Sequence, residues 1–327
     1  MAYSSSMQCI KRIANLEAVV QRDEGSRGIK KLCQPEGTLY ELGKKLFSSD
    51  KITILTGFPC LQNKLGGGQD LPPTETDGPS GAIAICRAFL RLKDSNEVVI
   101  ATDVCNAGVI NACASRGLHA ETNSSWRVEI FQPKALWDDK EQQRLEDVAR
   151  WSNHILAIER GSLASDGNAY TMSGKIMGPD LMAPLDQLFE KQFRLKFPNY
   201  STACIGDGGN ELGMGGIREA IAKHVPNGNT IASAAPSDIL LCASVSNWGG
   251  YATAAALEVL LNTSNDNDTK MPKKLLPSVQ EEIETIQASN DAGARDGITG
   301  KAELYVDGMN IDAHLGILNE LESICKM

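Results

Sequence analysis

Histidine and paired cysteines are scarce in this sequence of 327 residues. The four histidines stand far apart along the chain, and none of the nine cysteines forms a Cys-x-x-Cys pair. A zinc site of the usual histidine and cysteine type is therefore not expected. An odd number of cysteines, several within apolar runs, is instead typical of reduced thiols in an intracellular protein.

Long apolar runs and basic clusters are missing as well. No apolar run approaches the length of a membrane-spanning helix, and residues at the amino terminus do not form a secretory apolar segment. The net charge of −9, without basic segments that interleave with aromatics, argues against a nucleic-acid-binding surface. We expect a soluble intracellular protein whose partner is a small molecule, not nucleic acid or a membrane. The oligomeric state stays open.

Strand-like and helix-like patterns alternate through most of the chain. Strands rich in β-branched residues are predicted at 51–56, 97–102, 126–131, 154–158, 203–205, 230–234 and 239–245. Helices are predicted at 13–20, 38–46, 81–92, 107–116, 138–151, 181–196, 217–224, 251–261, 276–289 and 313–325. This alternation predicts an α/β fold with a doubly wound, mostly parallel sheet and helices on both faces. The Asp307-Gly308 pair adds a small hairpin near the carboxyl terminus.

The domain organisation follows from the even distribution of these patterns. The sequence has no internal repeat and no clean linker, so residues 1–327 are predicted to form a single domain. For residues 1–12 two interpretations remain, a disordered extension or a weak targeting segment. The polar run at 262–270 is predicted to be a solvated loop.

The segment that follows the predicted strand at 203–205 combines glycines with polar side chains. Residues 206–216 are Gly-Asp-Gly-Gly-Asn-Glu-Leu-Gly-Met-Gly-Gly, and the glycines allow a sharp turn and close approach to a ligand. Asp207, Asn210 and Glu211 stand where open α/β sheets bind ligands. The segment lacks the endings of the phosphate loop and of the dinucleotide fingerprint. It is either a ligand site or a loop that caps the next helix.

Acidic residues occupy the equivalent position elsewhere in the chain. Glu75 and Asp77 precede the helix at 81–92, as site residues or as a helix cap, and Asp103 and Glu159 directly follow strands. Because the carboxyl ends of parallel strands meet at one edge, these acids are predicted to face one cleft together with Asp207 and Glu211.

Two further polar residues stand at strand ends. Arg160 has the forked donors that match a carboxylate, although a structural ion pair is the competing interpretation. Asn247 lies at a strand-to-helix turn and is predicted to be a polar contact for a ligand.

Five segments, in the same order, resemble the carboxyl-terminal domain of D-glutamate cyclase. They are Thr-Glu-Thr-Asp-Gly-Pro at 74–79, Ala-Ile-Glu-Arg at 157–160, Ser-Asp-Gly-Asn at 165–168, the glycine segment at 206–215 and Ser-Asn-Trp-Gly-Gly-Tyr at 246–251. The resemblance implies a hydro-lyase that closes D-glutamate to 5-oxo-D-proline with loss of water. It also implies a mitochondrial matrix location, with the cytoplasm as the alternative. Animal members carry an additional amino-terminal domain that the likeness does not cover.

Roles for the site residues follow from that reaction. Asp207 and Glu211 are predicted to be the base and the acid, in an order that stays open, with Asn210 as a donor to the attacked carboxyl group. Arg160 is predicted to anchor the α-carboxylate. The remaining substrate contacts are predicted to be Glu75, Asp77, Asp103, Glu159 and Asn247.

Oxygen-rich side chains also suit a divalent cation such as Mg²⁺ or Mn²⁺, for which Asp77 and Asp207 are the first candidate ligands. Direct binding of the substrate amine by these acids is the alternative. Two other functions remain open: an enzyme that holds a phosphate- or nucleotide-bearing ligand at 206–216, and a non-catalytic amino-acid-binding protein.

Overall fold

The computed structural model describes residues 2–24, 28–33, 36–61, 72–121, 125–264 and 272–327. The strands are β1 (Lys51–Gly57), β2 (Glu97–Asp103), β3 (Ser125–Phe131), β4 (His154–Arg160), β5 (Ala169–Tyr170), β6 (Ile176–Met177), β7 (Ser201–Gly206), β8 (Ile239–Cys242), β9 (Tyr305–Val306) and β10 (Met309–Asn310). The helices are α1 (Ala2–Val20), α2 (Thr38–Phe47), α3 (Pro79–Leu92), α4 (Ala107–Gly117), α5 (Asp139–Trp151), α6 (Lys191–Lys196), α7 (Arg218–His224), α8 (Gly228–Ile231), α9 (Ser246–Ser264), α10 (Val279–Asp291) and α11 (Ile311–Cys325).

Six of the described strands form one parallel sheet in the order β3-β2-β1-β4-β7-β8. The order reverses between β1 and β4, so connections from these two strands leave toward opposite edges. In doubly wound sheets this switch point opens a crevice at the carboxyl ends of the strands, where ligands bind. The predicted α/β class, with its parallel sheet and small carboxyl-terminal hairpin, is confirmed.

The sheet is buried on both faces, which explains its nearly continuous apolar strands. Alternate residues of each strand point to opposite faces. Ile54 of β1 packs among α1, α3 and α9, and Leu55 packs on the other side among residues that include Leu145 of α5. Helices therefore cover both faces, and the crevice at the strand ends is the natural opening in this arrangement.

Helix α9 lies at the centre of the larger helical layer. Most of its length is buried, and it is rich in alanine and glycine. Small side chains let the neighbouring helix α3 come close enough for backbone contact. A Cβ added at Gly250 would lie 2.5 Å from the Cα of Gly81 and 2.6 Å from its carbonyl oxygen.

Gly250→Ala is expected to destabilise the protein by about 1–3 kcal/mol, because α3 and α9 must separate to admit the methyl group. Urea unfolding, followed by circular dichroism, measures the change. Gly316→Ala in α11 is the matched control, since a Cβ there meets nothing within 4 Å. That variant should be more stable than the parent by roughly 0.5–1 kcal/mol, because alanine favours the helix. Equal stability of the two variants would contradict the close helix contact.

Two predicted elements are wrong. The helix expected at 181–196 is a 3₁₀ segment, Leu185–Phe189, followed by the short α6. Pro184 disfavours helical backbone before it, and Glu190 is extended between the two pieces. Residues 230–231 of the expected strand lie in α8, and the N–H groups of Ser233 and Ala234 donate to loop carbonyls of Gly209 and Leu163 instead of to a strand of the main sheet. This segment therefore braces the glycine loop.

The ends of the chain follow the predictions in part. The hairpin β9–β10 turns at Asp307 and Gly308, both with positive φ, as a primed turn requires. Helix α1 begins at Ala2, so it includes most of the segment considered for an extension. The solvated loop predicted at 262–270 lies largely outside the described residues.

Among the residues that are described, no helix combines the length and apolar character needed to cross a membrane.

Candidate functional site

The amino-terminal ends of α3 and α9 meet at the crevice and cap each other. The Asp77 carboxylate, which precedes α3, accepts hydrogen bonds from the N–H groups of Ser246 (2.8 Å) and Asn247 (2.7 Å) at the start of α9. The Asn247 side-chain oxygen in turn accepts from the N–H groups of Gly78 (3.0 Å) and Gly81 (2.7 Å). Both helix ends, with their partial positive charge, are thereby held at the same point.

The glycine segment after β7 is organised by its own glutamate. The Glu211 carboxylate accepts hydrogen bonds from three successive N–H groups, those of Asp207 (2.9 Å), Gly208 (2.5 Å) and Gly209 (2.5 Å). Gly209 has φ of +107°, a conformation that favours glycine. Glu211 is 1% exposed. Its buried carboxylate thus fixes the conformation of the glycine segment through these hydrogen bonds.

A hollow of about 350 Å³ opens at the carboxyl ends of β4 and β7. Four carboxylates line it, those of Glu75, Glu159, Asp207 and Asp307. Asn210 also lines it and donates from Nδ2 to the carbonyl oxygen of Tyr170 at 2.8 Å. A cluster of four acids in one small cavity is electrostatically unfavourable unless protons or cations compensate the charge.

Glu159 occupies the most constrained position at the hollow. It is a bulged residue near the end of β4, where the register to β1 shifts, and it has φ of +43°. Such strain in a residue with a side chain is typical of functional sites. Gly78 makes room for it, because a Cβ there would lie 2.5 Å from the Cβ of Glu159. The hydroxyl of Ser246 donates to its carboxylate at 2.6 Å.

The pKa of Glu159 is raised well above its usual value. Burial is the largest cause, and the negative charges of Glu211, Asp77, Asp307 and Glu75 raise it further. The side chain is 6% exposed. The environment therefore favours a protonated Glu159 at pH values where an ordinary glutamate is ionised.

Asp77, Glu159 and Asp207 form a compact group of oxygens. One carboxylate oxygen from each lies within 4.8 Å of the others, and all three residues are buried. Carboxylate oxygens are the ligands that Mg²⁺ and Mn²⁺ prefer. The group has the donor chemistry for a hard divalent cation, and equally the proximity for carboxylates that share a proton.

Arg160 and Asp103 lie outside the hollow. Arg160 donates through both terminal nitrogens to the Asp103 carboxylate, and its Nη2 also donates to the carbonyl oxygen of Ala183 at 3.0 Å. Both side chains are 0% exposed. The competing interpretation from the sequence, a structural ion pair, describes this geometry, and the position gives no support to Arg160 as a substrate anchor.

The structure thus brings some of the candidate residues together and separates others. Glu75, Glu159, Asp207 and Asn210 line the hollow, and Asp77 lies within reach of two of them. Glu211 and Asn247 lie in the supporting layer, where they hold backbone N–H groups.

Two charged lining residues, Lys175 and Asp307, are not among the site residues that the sequence predicts. The sequence predicts only a hairpin turn at Asp307, and Lys175 stands in Thr-Met-Ser-Gly-Lys, a segment without a motif. Neither carried a sequence signal, because their approach to the hollow depends on how two distant hairpins pack against the sheet edge.

Two comparisons with known proteins give matches that span most of the chain. A family model described as "D-glutamate cyclase-like, C-terminal" matches residues 16–322. The chain is 31% identical over 344 residues to "D-glutamate cyclase, mitochondrial" of Homo sapiens, which covers 98% of this chain and 53% of the human protein. The chain therefore spans about half the length of the curated relative that it matches.

Proposed function

The chain belongs to the D-glutamate cyclase-like family, and on that premise we propose that it converts D-glutamate to 5-oxo-D-proline with loss of water. This makes it a carbon–oxygen lyase of D-amino acid metabolism. The human relative is named as a mitochondrial protein, and a mitochondrial location is part of the proposal.

One observation carries the proposal. Glu159 and Asp207 are buried neighbours in the same small hollow, and the pKa of Glu159 is raised by burial and by surrounding acids. We propose that these two carboxylates share one proton, so that one can donate while the other accepts. Cyclisation of glutamate requires both actions at atoms close to each other.

The proton balance of the reaction fits such a pair. The amine nitrogen attacks the γ-carboxyl carbon, a C–N bond forms, and a C–O bond breaks to release water. The nitrogen gives up two protons and the departing oxygen takes up two, so no net proton is gained or lost. In our proposal Asp207 accepts a proton from the ammonium group and protonated Glu159 supplies one to the oxygen. The second transfer runs through the same pair with the roles reversed.

This assignment replaces Glu211 with Glu159 as the partner of Asp207. Glu211 accepts three backbone N–H hydrogen bonds, which leaves it poorly suited to give a proton. Asn210 keeps its proposed role as a donor to the attacked carboxyl group. Glu75 and Asp77 are proposed to favour the cationic amine through their charge.

A divalent cation is the alternative way to compensate the negative charge of the acids in the hollow. Asp77, Glu159 and Asp207 would hold it, and it would polarise the γ-carboxyl oxygen. Assays after EDTA treatment, and again with Mg²⁺ or Mn²⁺ added, separate the two proposals. Full activity after chelation favours the shared proton, and activity restored only by the ion favours the metal.

A phosphate-bearing ligand at the glycine segment is disfavoured. The three N–H groups that would bind phosphate there already donate to Glu211, and the adjacent hollow is lined by four acids. The four acids outnumber Lys175 among the described lining residues, so a phosphate group would meet a net negative charge in that hollow.

Incubation with D-glutamate and, separately, L-glutamate tests the proposed reaction. We expect 5-oxo-D-proline to accumulate from the D-enantiomer, measured by chiral chromatography, with matching loss of primary amine. Binding of D-glutamate without product, under every metal condition, would instead indicate an amino-acid-binding protein.

A further inference from the structure

We infer that Lys175 binds the α-carboxylate of the substrate and so selects amino acids that retain a free one. This inference rests on the proposed cyclisation and deepens it. The sequence predicts Arg160 as the anchor of the α-carboxylate. The inference assigns that role instead to Lys175, in the hairpin formed by β5 and β6.

The charge pattern of the hollow points to Lys175. Among the described residues that line it, four are acidic and Lys175 is the one with a positive charge. Arg160 is committed to Asp103 in the interior. The Lys175 ammonium group makes no ion pair with any described residue. D-Glutamate carries two carboxylates, and one that does not meet protonated Glu159 needs a cation in a hollow lined by acids.

The hairpin presents Lys175 from an ordered turn. The N–H of Thr171 donates to the carbonyl oxygen of Lys175 at 2.9 Å. The N–H of Gly174 donates to the carbonyl oxygen of Thr171 at 2.9 Å, and Gly174 has φ of +79°. Nδ2 of Asn210 donates to the carbonyl oxygen of Tyr170 at 2.8 Å, and Nδ2 of Asn227 donates to the carbonyl oxygen of Met172 at 3.1 Å. Asn210 therefore ties the glycine segment directly to the hairpin that carries the lysine.

The depth of these residues in the hollow determines which of the two substrate carboxylates Lys175 contacts. Glu159 and Asp207 are 6% and 7% exposed, whereas Lys175 is an exposed residue and therefore lies at the rim. The amine and the γ-carboxyl group must lie beside the two acids, because the proton transfers occur there. The α-carboxylate does not react and projects from the five-membered ring that forms. With the reacting atoms at depth, this group points outward toward the rim.

The experiment compares two substrates in the parent and in Lys175→Met. D-Glutamate has the α-carboxylate, and D-isoglutamine carries a neutral amide in its place but can lose water in the same way. For D-glutamate we expect KM to rise roughly 10- to 100-fold in the variant, because a hydrogen bond between charged groups is lost. The kcat should change less than about threefold. For D-isoglutamine both constants should be nearly unchanged.

Control variants isolate the charge at this position. Lys175→Arg should restore most of the preference for D-glutamate, because its charge and donors remain. Lys140→Met, which removes an exposed lysine from α5, should behave like the parent. An equal loss with both substrates, or no loss with either, would overturn the inference.

The outcome is separable from that of the proposed function. If the parent protein turns over neither substrate, isothermal titration with D-glutamate and D-isoglutamine still tests the contact. Weaker binding of D-glutamate alone by Lys175→Met supports the inference even then. Equal binding of D-glutamate by parent and variant overturns it, even when the parent is an active cyclase.

Discussion

Asp207→Asn is expected to lower kcat for D-glutamate by about 100- to 10,000-fold, the usual contribution of a positioned acid or base. Asparagine has nearly the same shape, but it cannot accept the proton that the ammonium group must lose. Asp207 lines the hollow at the end of β7 and belongs to the group of three carboxylates within 4.8 Å. Removal of its charge should leave Glu159 without the carboxylate with which it exchanges the proton.

Steady-state assays by chiral chromatography, with thermal unfolding as a check of folding, measure the effect. Asp180→Asn is the matched control, since Asp180 is exposed and does not line the hollow. It should retain parental activity. Unchanged kcat in Asp207→Asn, with the fold intact, would remove Asp207 from the proposed mechanism.

Glu159→Gln is expected to abolish most activity and, unusually for a site variant, to stabilise the protein at high pH. The pKa of Glu159 is raised in the folded protein, mainly by burial and then by nearby negative charges. Between the usual glutamate pKa and this raised value, the folded state holds a proton that the unfolded state has lost. Stability therefore falls as the pH rises through that window, by about 1.4 kcal/mol per pH unit.

Glutamine is neutral at every pH and resembles the protonated acid, so the variant should lack this loss. Its oxygen can still accept from the hydroxyl of Ser246. Urea unfolding of parent and variant from pH 5 to pH 9 should give curves that diverge as the pH rises, with the variant more stable. Glu219→Gln, which changes an exposed glutamate of α7, should follow the parent. Parallel curves for Glu159→Gln would show that Glu159 is ionised in the folded state.

Much of the fold was predictable, because local pattern and topology agree. Strands buried on both faces produce apolar runs such as that of β1, and amphipathic or small-residue helices separate them. The two errors, at 181–196 and 230–234, occur where short segments pack against loops rather than into the sheet. There Pro184 and the hydrogen bonds of Ser233 decide the conformation.

The site was predictable only in its general location. Acids at strand ends indicated the correct edge of the sheet, because parallel strands bring their carboxyl ends together. Which side chains enter the hollow depends on hydrogen bonds that sequence does not reveal. Glu211 turns inward to the N–H groups of its own loop, and Arg160 turns to Asp103. Lys175 gave no signal, since a lone lysine on a hairpin is ordinary.

The mutual capping of α3 and α9 has a consequence for synthesis on the ribosome. The N–H of Asn247 and the Asp77 carboxylate that it contacts are 170 positions apart in the chain. At about 5–20 residues per second, the nascent polypeptide waits roughly 10 to 30 s between the emergence of the first partner and that of the second. During that interval the Asp77 carboxylate lacks the N–H donors of Ser246 and Asn247 at the start of α9. Catalytic competence should consequently appear late in translation, only after α9 has left the exit tunnel.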